Sequence, residues 1–309
     1  MQRRGVRQEP VVEVVERAAP VVANPLTAEA FLTVCTEELI HEVEPWLASV
    51  AAHHPVARIY LACDYPVAHR ARDLAIRWRI AGRVFPLPFL AGDGRGLAMA
   101  QCGAVESLSA YWHADIIWWK IEALRWVLST VEPGRGVLLT DCDVVFAGPV
   151  TEVFPYVDLV LSPFWWWSYR QVKRRHDTHD DTLCQVDGFF NAGYLLARRP
   201  GVAAVWRRLY ESGEGGFYEQ KCLEKLQEHF ATAYFGTRHN WGKWRKESPR
   251  PDTVSLHYHV NDRPVETAPD WMHATKARAD EAAAWAVNWM EGVGSQGAGV
   301  RSQELNTEH

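Results

Sequence analysis

The stretch GVLLTDCDVVFAGPV, residues 136–150, constrains this chain more than any other. Val137, Leu138 and Leu139 form an apolar run that reads as a buried strand, and Val144, Val145 and Phe146 form a second run close behind it. Between them stand Asp141 and Asp143. Side chains alternate along an extended segment, so these two carboxylates are expected to point the same way. A buried pair of like charges is costly unless something neutralises it, and a divalent cation is the usual remedy. Mg²⁺ and Mn²⁺ take oxygen ligands, which makes Asp141 and Asp143 candidate metal ligands. The competing reading is a pair of turn-forming residues at a strand end.

The surrounding sequence predicts the frame. Residues 31–35, 57–64 and 82–89 read as strands, and residues 69–81 carry apolar side chains at helical spacing. Strands alternating with helices predict βαβ units and a mostly parallel sheet. Ligands of such sheets bind outside the carboxyl ends of the strands. The turn after the first strand, with Thr33, Cys35 and Thr36, is therefore a candidate nucleotide site; an ordinary strand-to-helix loop is the other reading. Residues 107–130 predict a helix leading into the Asp-x-Asp strand. Lys120 lies on it among bulky apolar neighbours, either facing a ligand or covering the core with its stem. Asp115 is open in the same way.

Composition sets outer limits. A 309-residue chain with 48% hydrophobic residues has material for a sizeable core. The folded body is expected over residues 26–291, with a loose arm at 1–25 and a Gly-rich, polar, disordered tail at 292–309. A formal net charge of −5 argues against wholesale binding of nucleic acid or anionic membranes, while leaving room for a local basic patch. The first residues lack the continuous apolar core of a signal peptide, and no segment is long and uncharged enough to span a bilayer. Six cysteines are spread singly without zinc spacing, which reads as reduced thiols in a cytoplasmic setting.

Three other stretches stand out. The Gly-rich residues 91–103 lack the Gly-Lys-Ser/Thr of a phosphate cradle and read as a flexible loop. Phe164 is followed by Trp165, Trp166 and Trp167, which cannot all face one core; an acceptor platform or a subunit contact is expected there. Residues 171–184 hold His176, Asp177, His179 and Asp180 and read as a solvated lid loop rather than a second metal cluster.

Asp141-Cys142-Asp143 resembles the Asp-x-Asp of nucleotide-sugar transferases with the GT-A fold. Two further stretches resemble the retaining glycosyltransferase family 8 within that group. Phe190-Asn191-Ala192-Gly193 leads into an apolar strand, as a Phe-Asn-Ala/Thr-Gly does in the family. His257 ends a strand at the family spacing from Arg263-Pro264. The resemblance implies a single α/β domain, a Rossmann-like, mostly parallel sheet flanked by helices. It implies sugar transfer from a nucleotide-diphosphate donor, a UDP-sugar by analogy, with Mn²⁺ or Mg²⁺ and with retention of configuration. Asp141, Asp143 and His257 would hold the metal, with His259 as the alternative histidine. Lys120 and Arg263 would face the nucleotide and its diphosphate. Asn191 and Asp187 would bond donor-sugar hydroxyls, a structural asparagine being the rival reading. Gln220 would lie near the anomeric carbon. The chain departs from the family pattern at Glu219, where an aspartate is usual, at Arg263 for lysine and at Val265 for tryptophan. Two other classes stay open, a sugar nucleotidyltransferase and a non-catalytic carbohydrate-binding protein. The acceptor is open too: protein, glycan, small molecule, or modified DNA met by Lys173, Arg174 and Arg175.

Overall fold

The structure, a computed structural model, describes residues 28–88, 108–152, 154–164, 189–214, 219–245, 247–258 and 266–304; for 108–115, 243 and 293–304 it describes the backbone alone. Asp187, Arg263, His259, the Trp165–Trp167 stretch, and the 91–103 and 171–184 loops lie outside the described residues.

The apolar runs at 31–35, 57–64, 82–89 and 137–139 form the expected strands, and further strands join them. Ala30–Cys35 is β1, Arg58–Cys63 β2, Val84–Pro88 β3 and Val137–Thr140 β4. Leu159–Pro163 is β6, Phe190–Ala197 β7 and Thr232–Tyr234 β8. These seven make one sheet in the order β3-β2-β1-β4-β7-β6-β8. Neighbouring strands are parallel except on either side of β7, which runs against both β4 and β6. The α/β, mostly parallel architecture is thus as the alternation predicts, with β4 at its centre.

Period-two alternation then fills two layers. Phe31, Ile59, Leu61 and Leu138 face one side, where helices α1 (Val43–His53) and α2 (Tyr65–Arg77) pack with the closing helix α6 (Asp270–Glu304). Leu32, Tyr60, Val137 and Leu139 face the other, covered by α3 (Leu108–Thr130), α4 (Pro200–Glu211) and α5 (Glu219–His229). Ile121, Leu124 and Leu128 of α3, spaced by three and four, supply one apolar stripe of that layer. Each fully buried Leu, Ile or Phe contributes about 1.5–3 kcal/mol of transfer free energy. Helix α6 continues through residue 292 to Glu304, beyond the boundary at which the glycine content suggests a tail. Among the described residues, no helix is long and apolar enough to cross a membrane.

A second, three-stranded sheet corrects the expectation for Val144–Phe146. This segment, β5, does not extend β4. It pairs antiparallel with β10 (Ser255–His257), which in turn pairs parallel with β9 (Trp241–Gly242). The chain changes sheets between Thr140 and Val144, and both aspartates lie in that change.

His54 follows α1 and packs against Phe31, with ring centroids 4.4 Å apart. Its Nε2 accepts the Val150 N–H at 3.4 Å, so the ring is neutral in the folded protein. Burial, with the charges of His53 and Arg83 nearby, pushes its pKa down to about 3. Unfolded, it takes a proton near pH 6.5. Stability is therefore complete above pH 6.5 and lost as pH falls toward 3, by up to about 1.4 kcal/mol per unit. His54→Gln is expected to lose less stability than wild type between pH 7 and 5 in urea unfolding. Identical losses would remove His54 as the cause.

Candidate functional site

The two aspartates are brought together by a turn, not by strand alternation as the sequence suggests. Val144 N–H donates to Asp141 O at 3.3 Å, closing the turn. Asp141 N–H donates to Gly193 O at 2.9 Å, and Tyr258 N–H donates to Asp143 O at 3.0 Å. One end is thus fixed to the large sheet and the other to the small one. That junction also delivers His257 from β10. Its Nε2 lies 3.1 Å from Asp143 Oδ1 and 3.6 Å from Asp141 Oδ2. Among the described residues, Asp141, Asp143 and His257 form a group whose ligand atoms all lie within 4.8 Å of one another. Asp143 and His257 are buried, and Asp141 is partly open to solvent. Two carboxylates and an imidazole nitrogen form a donor set that suits Mn²⁺, or Mg²⁺ with more water in its shell.

Lys120 ends beside the acidic pair. Its Nζ donates to Asp141 Oδ1 at 2.6 Å and lies 3.8 Å from Glu219 Oε1. Burial pushes this ammonium down, but Asp141 and Glu219 outweigh it and hold the group above its ordinary value. Burial raises the Glu219 carboxyl; Lys120 opposes that rise and Asp141 adds to it.

Asn191 and Gln220 meet on the far side. The register between β6 and β7 jumps after Leu161, which faces Leu195, to Ser162, which faces Asn191. The intervening residues bulge over Asp141. Asn191 Oδ1 accepts the Gly193 N–H at 2.8 Å, and its Nδ2 donates to Gln220 Oε1 at 3.4 Å. Gln220 Oε1 also accepts the Ala192 N–H at 3.3 Å. Asn191 therefore has a structural role in the bulge, and Gln220 is tethered at the site by its carbonyl. Gly193 is required there, because a Cβ on it would lie 2.0 Å from Asp141 Oδ2.

At the end of β1, Thr33 and Thr36 are buried, and among the described residues neither hydroxyl has a hydrogen-bond partner. Thr33 shares the sheet face of Phe31 and Cys35, under α1. Cys35 donates its thiol to Leu39 O at 3.3 Å and belongs to the core.

Two residues of the site carry no sequence signal. Asn240 accepts from His257 Nδ1 at 2.8 Å, and the Trp244 ring stands edge-on to His257 with centroids 5.0 Å apart. Both come from a segment of short, irregular structure in which no periodicity marks an inward-facing position.

The fold has solved counterparts. A galactosyltransferase, LgtC, crystallised with donor and acceptor sugar analogues, is 17% identical and superposes with a TM-score of 0.51 over 82% of this chain and 95% of that one. The glycosyltransferase GlyE of Streptococcus pneumoniae TIGR4 is 15% identical, with a TM-score of 0.53 over 84% of this chain. The match spans 63% of GlyE. The chain has the fold of the GT-A glycosyltransferases. No protein-family model matches the sequence, and no curated protein matches it. In this GT-A fold, the acidic pair follows the carboxyl end of β4 and meets the imidazole from β10, with Lys120, Glu219 and Gln220 around them.

Proposed function

We propose that this chain is a metal-dependent glycosyltransferase that moves a sugar from a nucleotide diphosphate, a UDP-sugar, to an acceptor hydroxyl with retention of configuration. The observation that carries the reading is the Asp141–Asp143–His257 cluster at the carboxyl end of the central strands. A divalent ion bound by these three residues supplies Lewis-acid stabilisation to a departing diphosphate. The chain's own groups do the remainder. Lys120 adds a fixed positive charge beside Asp141, in a position to meet phosphate oxygens. Arg263 is assigned to the same diphosphate, which a guanidinium grips in a bidentate manner. The buried Thr36 hydroxyl, which has no hydrogen-bond partner among the described residues, is assigned to the nucleotide.

At the sugar, Gln220 keeps its amide N–H groups for the donor while β7 holds its carbonyl. A neutral amide is a poor nucleophile, so Gln220 positions and polarises. The acceptor oxygen attacks on the face from which the diphosphate leaves, and its proton passes to a diphosphate oxygen. Asp187 is assigned to donor hydroxyls. Glu219, largely buried and 3.8 Å from Lys120 Nζ, is the rival base or nucleophile.

The test is a panel of UDP-sugars with Mn²⁺, Mg²⁺ or EDTA, with products read by mass and by the anomeric proton coupling. Transfer or slow donor hydrolysis that needs the ion and keeps the donor's anomeric configuration is expected. Full activity in excess EDTA would reject the metal. Formation of UTP and a sugar 1-phosphate when pyrophosphate is added would indicate a nucleotidyltransferase. An inverted product would move the search for a base to Glu219 and Asp187.

A further inference from the structure

The described residues hold a buried polar chain behind the cluster that the sugar-transfer reading does not use. It starts at Glu152, whose Oε1 lies 2.6 Å from His239 Nε2. A carboxylate only accepts, so His239 Nε2 carries the proton there. His239 Nδ1 lies 3.0 Å from the Tyr194 hydroxyl. Tyr194 is hydrogen-bonded to Ser255. Ser255 Oγ accepts the Asn240 N–H at 2.8 Å, and Asn240 Nδ2 donates to Ser162 Oγ at 3.0 Å. These contacts leave Asn240 Oδ1 facing His257 Nδ1, at 2.8 Å. Asn240 is fully buried and has φ 51°, a left-handed conformation that asparagine tolerates better than most residues. The Trp244 ring stands at 87° to His257 and wedges the imidazole from the side. Gly242 makes room for it, since a Cβ there would lie 2.3 Å from the Trp244 ring.

We infer that Asn240 is a positioning residue for the metal centre: its side-chain oxygen takes the Nδ1 proton of His257 and so turns the Nε2 lone pair toward the space between Asp141 and Asp143. This rests on the metal reading of the cluster. An imidazole ligates through one nitrogen only when the proton sits on the other, and a hydrogen bond to that proton fixes the ring and raises its basicity. Such partners are most often carboxylates, carbonyls or water; here a side-chain amide has the task. Ser162 matters because it accepts from Asn240 Nδ2 and so holds the amide with its oxygen toward the ring, while Ser255 fixes the Asn240 backbone N–H. Without Ser162 nothing selects the oxygen over the NH₂ group.

Asn240→Gly removes the acceptor at a backbone conformation glycine adopts freely, whereas Asn240→Asp keeps an acceptor there. Ion binding is read by calorimetry with Mn²⁺ and Mg²⁺ separately, without nucleotide, and by pulsed electron paramagnetic resonance of bound Mn²⁺ for imidazole nitrogen. Asn240→Gly is expected to lower Mn²⁺ affinity about 10–100-fold. Mg²⁺, which depends less on a nitrogen ligand, should lose less, so the preference for Mn²⁺ shrinks and the nitrogen signal fades. Asn240→Asp should stay near wild type on both measures. An unchanged Mn²⁺ preference in Asn240→Gly, or an equal loss in Asn240→Asp, overturns the inference. If Asn240→Gly does not fold, Ser162→Ala decides: the Mn²⁺ preference falls if the amide must be held, and an unchanged preference overturns the inference. A wild type that binds neither ion would fail the metal reading itself. A wild type that binds Mn²⁺ beside an equally competent Asn240→Gly would fail only the role of Asn240.

Discussion

Asp143→Asn is expected to abolish measurable Mn²⁺ binding and to reduce transfer by at least about a thousandfold, because several kcal/mol of charge stabilisation are lost at about 1.4 kcal/mol per decade. Asparagine keeps the volume of the side chain and removes its charge. Asp143 contributes its backbone oxygen to Tyr258 N–H at 3.0 Å, a contact the substitution leaves alone. The carboxylate itself lies in a buried position beside Asp141 and His257. Without an ion it is one of two neighbouring anions, so neutralising it relieves repulsion. The melting temperature of metal-free Asp143→Asn should therefore equal or exceed that of wild type. With saturating Mn²⁺ the order reverses, because a ligand that binds only the native state stabilises it. Loss of the Mn²⁺-induced rise in melting temperature, with native circular dichroism, is the expected pair of results. A variant that keeps both the rise and the activity would remove Asp143 from the metal site.

Much of the frame was legible because burial leaves a direct trace in sequence. The runs at Phe31–Cys35, Ile59–Cys63 and Val137–Leu139 are apolar on both faces, since helices cover both sides of the sheet. The short segment Val144–Phe146 leaves the same trace, which does not say which sheet it joins. The acidic pair was therefore found for a reason that geometry replaces: Asp141 and Asp143 converge through a turn between sheets. Lys120 is undecidable from helical spacing, because α3 has buried positions on several sides of its axis and only the Asp141 oxygen at 2.6 Å shows where the ammonium ends. Asn191 shows the structural reading, holding the bulge through Gly193 and touching Gln220. Asn240 was invisible. Its importance comes from a left-handed backbone and from Ser162, 78 residues earlier in the chain. Neither has a local pattern.

Gly193→Ala is the second substitution with a large expected effect, and the position of its Cβ decides what breaks. That atom would lie 2.0 Å from Asp141 Oδ2, 2.6 Å from Asp141 Cγ and 2.8 Å from Asn191 Oδ1. Contacts this close cannot persist, so something moves. The backbone around Gly193 is held in the sheet by the Asp141 N–H donated to its oxygen at 2.9 Å and by its own N–H donated to Asn191 at 2.8 Å. The Asp141 side chain is 36% exposed and has room to swing outward. It is the cheaper part to displace. Overpacking of this kind costs about 1–3 kcal/mol, or a few degrees of melting temperature at about 2–4 °C per kcal/mol. The site fares much worse. Asp141 leaves His257 and Asp143, and Lys120 loses its 2.6 Å partner while still buried, keeping Glu219 at 3.8 Å. Mn²⁺ affinity is expected to fall at least about a hundredfold, since a direct ligand is lost rather than one of its supports. Gly148→Ala is the control, since a Cβ there meets nothing within 4 Å. Calorimetric Mn²⁺ titration and thermal melts of the two variants separate the effects. Gly193→Ala that melts a few degrees lower and binds no Mn²⁺, beside an unaffected Gly148→Ala, is the expected outcome. Retained Mn²⁺ binding in Gly193→Ala would mean that Asp141 is dispensable as a ligand, leaving Asp143 and His257 to hold the ion.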